Sequence, residues 1–215
     1  MEHEFWHHKW EIKQTGFHLD YVHPLLKRNL NAFSVNDSIF VPLCGKTLDI
    51  GYLLSLGHRV VGVELSELAV SELFQQLQLI PKISPWGVAE GKIYQADKLT
   101  VYVGDFFALQ AEDLGAISVV YDRAALIALP KELRIKYSHH IRLITQQAPQ
   151  LLITLDYDQS IAGGPPFAVS SAEVATLYRD SYTIDLLEEA DILDEEPRFK
   201  AKGLTAFYQR AYQLK

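Results

Sequence analysis

The chain has 215 residues, 48% of them hydrophobic and 22% charged, which suits one ordinary globular domain with a sizeable core. A net charge of −7 and a pI near 5.6 argue against a nucleic-acid-binding surface, because phosphate neutralisation needs clustered Lys and Arg. With one cysteine, no apolar run long enough to span a bilayer and no secretory pattern at the N-terminus, the expectation is a soluble, cytoplasmic, monomeric protein without nucleic-acid or membrane partners.

Residues 2–14 read as an aromatic helix ended by Thr15-Gly16. Tyr21 to Leu30 has helical apolar spacing, with Pro24 tolerated in the first turn. The most informative stretch follows, from Ser38 to Glu64. It reads as an apolar strand at about 38–42, a turn containing Gly45, a helix at 47–56 and a second apolar strand at 59–64 that ends in an acid. Glu64 lies 19 positions after Gly45. That is the layout of a βαβ nucleotide-binding unit, in which the acid closing the second strand bonds ribose hydroxyls.

The turn itself departs from the dinucleotide pattern. Pro42-Leu43-Cys44-Gly45 lacks the Gly-x-Gly-x-x-Gly run that brings backbone up to a pyrophosphate. A ribose-and-adenine ligand without phosphate fits better, and S-adenosylmethionine is the common one. Gly45-Lys46-Thr47 imitates the end of a P-loop, but Phe40 stands where that motif needs its first glycine.

Further on, Ser66 is a good N-cap for a helix reaching about Leu79 and stopped by Pro81. Residues 91–103 alternate around Ala96-Asp97-Lys98 as a hairpin feeding a third strand. Ile117–Tyr121 is a continuous apolar run, the mark of a strand buried on both faces, Lys131–Gln147 is a long helix, and Leu151–Leu155 is another buried strand. The tail reads as a helix at 173–179 and two antiparallel strands, Tyr182–Leu187 and Leu204–Tyr212. Together these predict a three-layer α/β sheet with an antiparallel edge.

Several segments then resemble one family. They are Trp6-x-x-x-Trp10 with Gly16-Phe17-His18, Val41 to Lys46, Gly62-Val63-Glu64-Leu65-Ser66, Gly104-Asp105-Phe106-Phe107 and Tyr121 to Leu126. Their order and spacing resemble the bacterial thiopurine S-methyltransferases over essentially the whole length. The resemblance implies a Rossmann-like class I methyltransferase fold, a mostly parallel seven-stranded sheet with an antiparallel C-terminal edge, in a single domain over 1–215 whose residues 1–20 form a lid. It implies S-adenosylmethionine as cofactor, and a small aromatic or heterocyclic thiol such as a thiopurine, or a selenium compound, as methyl acceptor.

By the same resemblance, Leu43 and Gly45 pass beside the methionine part of the cofactor and Glu64 takes both ribose hydroxyls. Asp105 and Phe106 flank the adenine, where an aromatic can stack on the base. Arg123 stands at the junction of cofactor and acceptor, and Trp10 belongs to the lid. Phe17, Arg123 and Arg198 lie near the acceptor, and Asp122 supports rather than contacts. No catalytic residue and no metal ligand is assigned.

Plainer roles exist for many of these residues. Asp105 can be a turn residue, and Trp6 and Trp10, one helical turn apart, can pack on the core. His3, His7 and His8 have helical metal-binding spacing without a third ligand set, and with His139-His140 they read as solvated helix faces. Cys44 reads as a small core-lining residue, and the acids between Glu188 and Glu196 as a solvated loop. Two other functions share the βαβ unit: an NAD-dependent oxidoreductase, which the weak phosphate turn argues against, and a non-catalytic adenosyl-ligand-binding protein.

Overall fold

The computed structural model describes residues 3–14, 18–34, 36–87 and 90–215. In chain order the helices are α1 (His3–Glu11), α2 (Pro24–Arg28), α3 (Leu48–Ser55), α4 (Glu67–Gln76), α5 (Ala111–Leu114), α6 (Lys131–Ile144), α7 (Ser171–Tyr178) and α8 (Pro197–Lys200). The strands are β1 (Ser38–Val41), β2 (Arg59–Glu64), β3 (Lys82–Pro85), β4 (Lys92–Ala96), β5 (Leu99–Val103), β6 (Val119–Arg123), β7 (Gln150–Asp156), β8 (Ile184–Asp191) and β9 (Tyr208–Leu214).

The strands form one sheet in the order β3-β4-β5-β2-β1-β6-β7-β9-β8. From β5 to β7 every pairing is parallel, and the apolar runs that build these strands are buried on both faces. Alternate residues point to opposite layers. Phe40, Val61, Val120 and Leu152 pack with Tyr137, Ile141 and Tyr178 of α6 and α7, while Ile39, Val60, Tyr121 and Leu151 pack with Leu25, Leu53, Val70 and Leu73 of α2, α3 and α4. A third cluster, Tyr157, Phe199, Leu204 and Phe207, closes the end beyond β7.

The chain runs outward from β1 through β2 to β5, then returns to place β6 on the other side of β1. That reversal opens a crevice at the carboxyl ends of β1 and β6, where open α/β sheets bind their ligands. The expected seven strands are present as β5-β2-β1-β6-β7-β9-β8, with β8 and β9 the antiparallel edge. Among the described residues the sheet nonetheless holds nine. The predicted hairpin supplies β4, and β3 pairs onto it with Ile83 opposite Tyr94.

Three local readings are corrected. α2 starts at Pro24 rather than Tyr21, because Nδ1 of His23 accepts the Leu25 amide at 3.2 Å and caps the helix. Of the acids after Leu187, Glu188, Glu189 and Asp191 are no solvated loop, since β8 extends to Asp191, whereas Asp194 and Glu195 are exposed in the turn beyond it as expected. In β8, Glu188 accepts from Arg28 at 2.8 Å and from Asn29 at 2.6 Å, Glu189 pairs with Arg210, and Asp191 accepts the Leu193 and Phe207 amides at 3.0 Å. Finally, His140 is half-buried against the rings of Phe106 and Phe107, with centroids at 5.1 and 5.6 Å, and only His139 lies on the exposed face.

Candidate active site

The turn leaving β1 bends because Leu43 (φ 44°) and Gly45 (φ 51°) adopt left-handed backbone. The bend turns the Gly45 amide toward β2, where it donates to Oε2 of Glu64 at 2.8 Å. Oε1 of the same carboxylate accepts the Ser66 amide at 2.9 Å. Glu64 is 7% exposed. Burial raises its pKa above the ordinary carboxylate value, and the amides of Ser66, Gly45 and Leu65 pull it back. Ser66 also caps α4 through its hydroxyl, which fixes the turn beyond β2.

Asp105 follows β5 and Gly104. Its Oδ1 accepts the Phe107 amide at 3.0 Å and caps a 3-10 turn over Phe106–Ala108, so it is a turn residue at the crevice edge. Phe106 is 2% exposed, and its ring lies against Tyr137 with centroids 4.9 Å apart. That ring belongs to the core and is not free to stack on a base.

Arg123 ends β6 and lines a cavity of about 30 Å³ with Trp10, His18, Leu43, Cys44, Gly45, Lys46, Asp49 and Tyr121. The cavity is roofed by α1. Trp10, 5% exposed, lies across Gly45, and Lys46 reaches to 5.9 Å from its ring centre while pairing with Glu72 at 2.6 Å. A volume of this size holds about one water, and Glu64, Asp105 and Phe106 are not among the residues that line it.

Beneath the cavity, Asp49 is 1% exposed in the first turn of α3. Its two oxygens accept the His23 amide at 2.8 Å and the Tyr121 hydroxyl at 3.0 Å. Burial and the charges of Arg123 and Arg28 hold the neighbouring His23 imidazole down at about 3, so it is neutral. On the other face of β6, Asp122 is fully buried, accepting from Tyr137 at 2.7 Å and from the Leu126 amide at 3.1 Å. It therefore shapes the loop after Arg123, as a supporting residue does.

Leu43, Gly45, Glu64, Asp105 and Arg123 thus stand at the ends of β1, β2, β5 and β6, with Trp10 above them. Arg198 is exposed on α8 and is not among the cavity-lining residues, and Phe17 lies outside the described residues. His18, Asp49 and Tyr121 reach the cavity without having been assigned a role from sequence. The only sequence signals for the latter two are an acid opening an apolar helix and a tyrosine within an apolar strand.

The donor set fits S-adenosylmethionine. The Glu64 oxygens accept the Gly45 and Ser66 amides, with the Leu65 amide also acting on them, and a carboxylate has about four acceptor directions, so it retains capacity for a ribose diol. The turn has no phosphate cradle, and its one cation, Lys46, is engaged by Glu72. A switch-point crevice with a buried acid at its second strand, in a sheet closed by the antiparallel β9 and β8, defines an adenosyl-binding methyltransferase of class I. Solved structures share that fold. A SAM-dependent methyltransferase from Anabaena variabilis ATCC 29413 superposes with a TM-score of 0.60 at 12% identity, covering 99% of this chain and 95% of the other. The Burkholderia thailandensis 1,6-didemethyltoxoflavin-N1-methyltransferase, solved with S-adenosylhomocysteine, gives 0.54 at 16% identity, covering 89% and 75%.

The thiopurine S-methyltransferase family profile matches residues 1–215, and the chain belongs to that family. It is 48% identical to the thiopurine S-methyltransferase of Pseudomonas fluorescens (strain SBW25) over 100% of this chain and 99% of the other. To that of Shewanella woodyi (strain ATCC 51908 / MS32) it is 43% identical, with the same coverage. It is an S-adenosylmethionine-dependent methyltransferase, and membership sets aside the oxidoreductase alternative.

Proposed function

We propose that the chain moves the methyl group of S-adenosylmethionine to the sulfur, or selenium, of a small aromatic or heterocyclic thiol of the thiopurine kind. The observation that carries the reading is the buried Glu64 carboxylate, fixed by the Gly45 and Ser66 amides at the switch point. In this reading Glu64 holds the ribose, and Leu43 and Gly45 pass the methionine part. Asp105 and the backbone of Phe106 border the adenine, and Arg123 stands at the methyl end. Phe17 and Arg198 join Arg123 around the acceptor.

The methyl group of a sulfonium is electrophilic when bound, so these residues act by aligning the acceptor sulfur with it and excluding water. Residues 1–20 form the lid that supplies the exclusion, with Trp10 on the cofactor turn, in a single domain spanning 1–215. Among the described residues no helix is long and apolar enough to cross a membrane. A cytoplasmic monomer acting on small molecules, without nucleic-acid or membrane partners, completes the reading.

Calorimetric titration of S-adenosylhomocysteine into the protein and into Glu64→Ala tests it, followed by turnover of 6-mercaptopurine. Binding that is lost in the variant, with methylation by the wild type, is expected. A folded wild type that binds no S-adenosylhomocysteine would overturn it.

A further inference from the structure

The cavity under α1 is lined by several groups that can carry or take a proton, and their surroundings sort them. Cys44 is buried, and burial with the Glu64 charge raises its thiol well above the ordinary value. Burial and Asp49 do the same to the Tyr121 hydroxyl. Asp49 has both oxygens occupied by the His23 amide and that hydroxyl. Lys46 is an ammonium held at 2.6 Å by Glu72, and Arg123 is a permanent cation.

His18 differs from all of these. It is half-buried at the same cavity, and its pKa lies below the ordinary 6.5. Burial is the main cause, then the positive charges of Lys46 and Arg123, against which Asp20 and Glu72 act in the raising direction. A neutral imidazole has one unprotonated ring nitrogen, and among the described cavity-lining residues His18 alone offers a base of this strength.

We propose that His18 is the proton acceptor of the transfer, taking the proton of the acceptor thiol or selenol as the methyl group is transferred. The sulfur–hydrogen bond breaks toward the imidazole nitrogen. The sulfur's electron pair forms the bond to the methyl carbon, and the bond from that carbon to the sulfonium breaks, leaving S-adenosylhomocysteine and a methyl thioether, both neutral. The imidazolium then gives its proton to water, a release that the nearby Lys46 and Arg123 charges favour.

A substrate preference follows, resting on the methyltransferase reading above. A base weaker than ordinary histidine matches acceptors whose own pKa is near neutrality, as in aryl and heteroaryl thiols. Alkyl thiols, which ionise near 8.5 as cysteine does, match it poorly.

The test uses the full chain as wild type, His18→Gln and His18→Ala, with substituted thiophenols of graded acidity. S-adenosylhomocysteine affinity, measured first by calorimetry, is expected to agree within about twofold across the three, since His18 acts on the acceptor. Turnover by His18→Gln should fall about 10²-fold or more with a thiophenol still protonated at the assay pH, and less than about threefold with a nitrothiophenol already ionised. Added imidazole should restore part of the lost rate in His18→Ala.

Independently of turnover, the absorbance of a thiophenol bound beside S-adenosylhomocysteine should show its thiolate appearing at higher pH in His18→Gln than in wild type. Equal losses with both acceptors, or no loss and an unchanged thiolate titration, would overturn the assignment. A wild type that binds no S-adenosylhomocysteine would instead overturn the methyltransferase reading on which it rests. An active wild type matched by an equally active His18→Gln removes His18 alone.

Discussion

Trp10 and Gly45 touch across the turn that leaves β1: a methyl carbon placed on Gly45 would stand 3.1 Å from Cζ2 of the indole. The glycine is thus required twice, once by its left-handed backbone and once by the ring above it. Gly45→Ala should lose about 1–2 kcal/mol of stability, seen in urea unfolding, and weaken S-adenosylhomocysteine binding at least about tenfold in calorimetry. Affinity that survives the substitution would mean that neither the bend nor the Trp10 contact matters to the ligand.

Asp122 gives the fold a pH dependence of defined sign. Burial raises its folded-state pKa from 3.8 to about 6, with the Tyr137 hydroxyl and the Leu126 and Ala125 amides acting against the rise. A carboxyl group whose folded pKa is raised contributes stability below pH 3.8 and loses that contribution as the pH climbs through about 6. Relative to Asp122→Asn, the wild type should therefore lose stability on the order of 3 kcal/mol between pH 4 and pH 8. Urea unfolding of both proteins across that range checks it, and an opposite slope would show a carboxylate at ease in its ionised form.

The Asp49 carboxylate joins the segment before α2 to β6, and its partners separate in a mutant series. Tyr121→Phe leaves one oxygen without its donor and should lose about 1–2 kcal/mol; Asp49→Ala leaves the His23 amide and the Tyr121 hydroxyl both buried without it, and should lose more. Denaturation midpoints measure both. Equal stability of Asp49→Ala and Tyr121→Phe would indicate that the His23 contact contributes nothing.

Arg134 is 2% exposed and donates to the carbonyls of Leu129 and Ala168 and to both oxygens of Glu173, each at 2.9 Å. It fastens α6 to the loop ahead of α7. Arg134→Met should lose about 3–5 kcal/mol because it strands a largely buried carboxylate, and adding Glu173→Leu should recover part of that loss. A double variant no more stable than Arg134→Met would place the loss in the two carbonyls instead.

Most of the sheet was legible because parallel strands buried on both faces are written largely as apolar runs, as in Val119–Tyr121 and Leu151–Ile153. β3 left no such trace: it is a four-residue edge strand with Pro85 at its end and Ile83 half in solvent. The end of β8 was hidden for a different reason. Its acids look like a loop until Arg28 and Arg210, distant in the sequence, stand beside them. In the site, Gly45 and Glu64 were readable because a βαβ unit fixes their separation. Asp49 and Tyr121 were not, because their contact spans 72 positions and exists only once β1 and β6 are neighbours. Adjacent aromatics posed the same difficulty, since sequence cannot tell that Phe106 turns inward and Phe107 less so.

Cys44, the only cysteine of the chain, is 5% exposed, and its Sγ stands 3.0 Å from where a side chain on Gly62 would begin. Exchange with disulfides and attack by electrophiles both go through the thiolate, and this sulfur is held in its protonated form. A catalyst that receives thiols must also encounter their oxidised dimers, which capture accessible cysteines as mixed disulfides. Little exposed and held as the thiol, this sulfur is a poor target for such capture, and mixed disulfides with acceptor dimers are expected to form slowly on this protein.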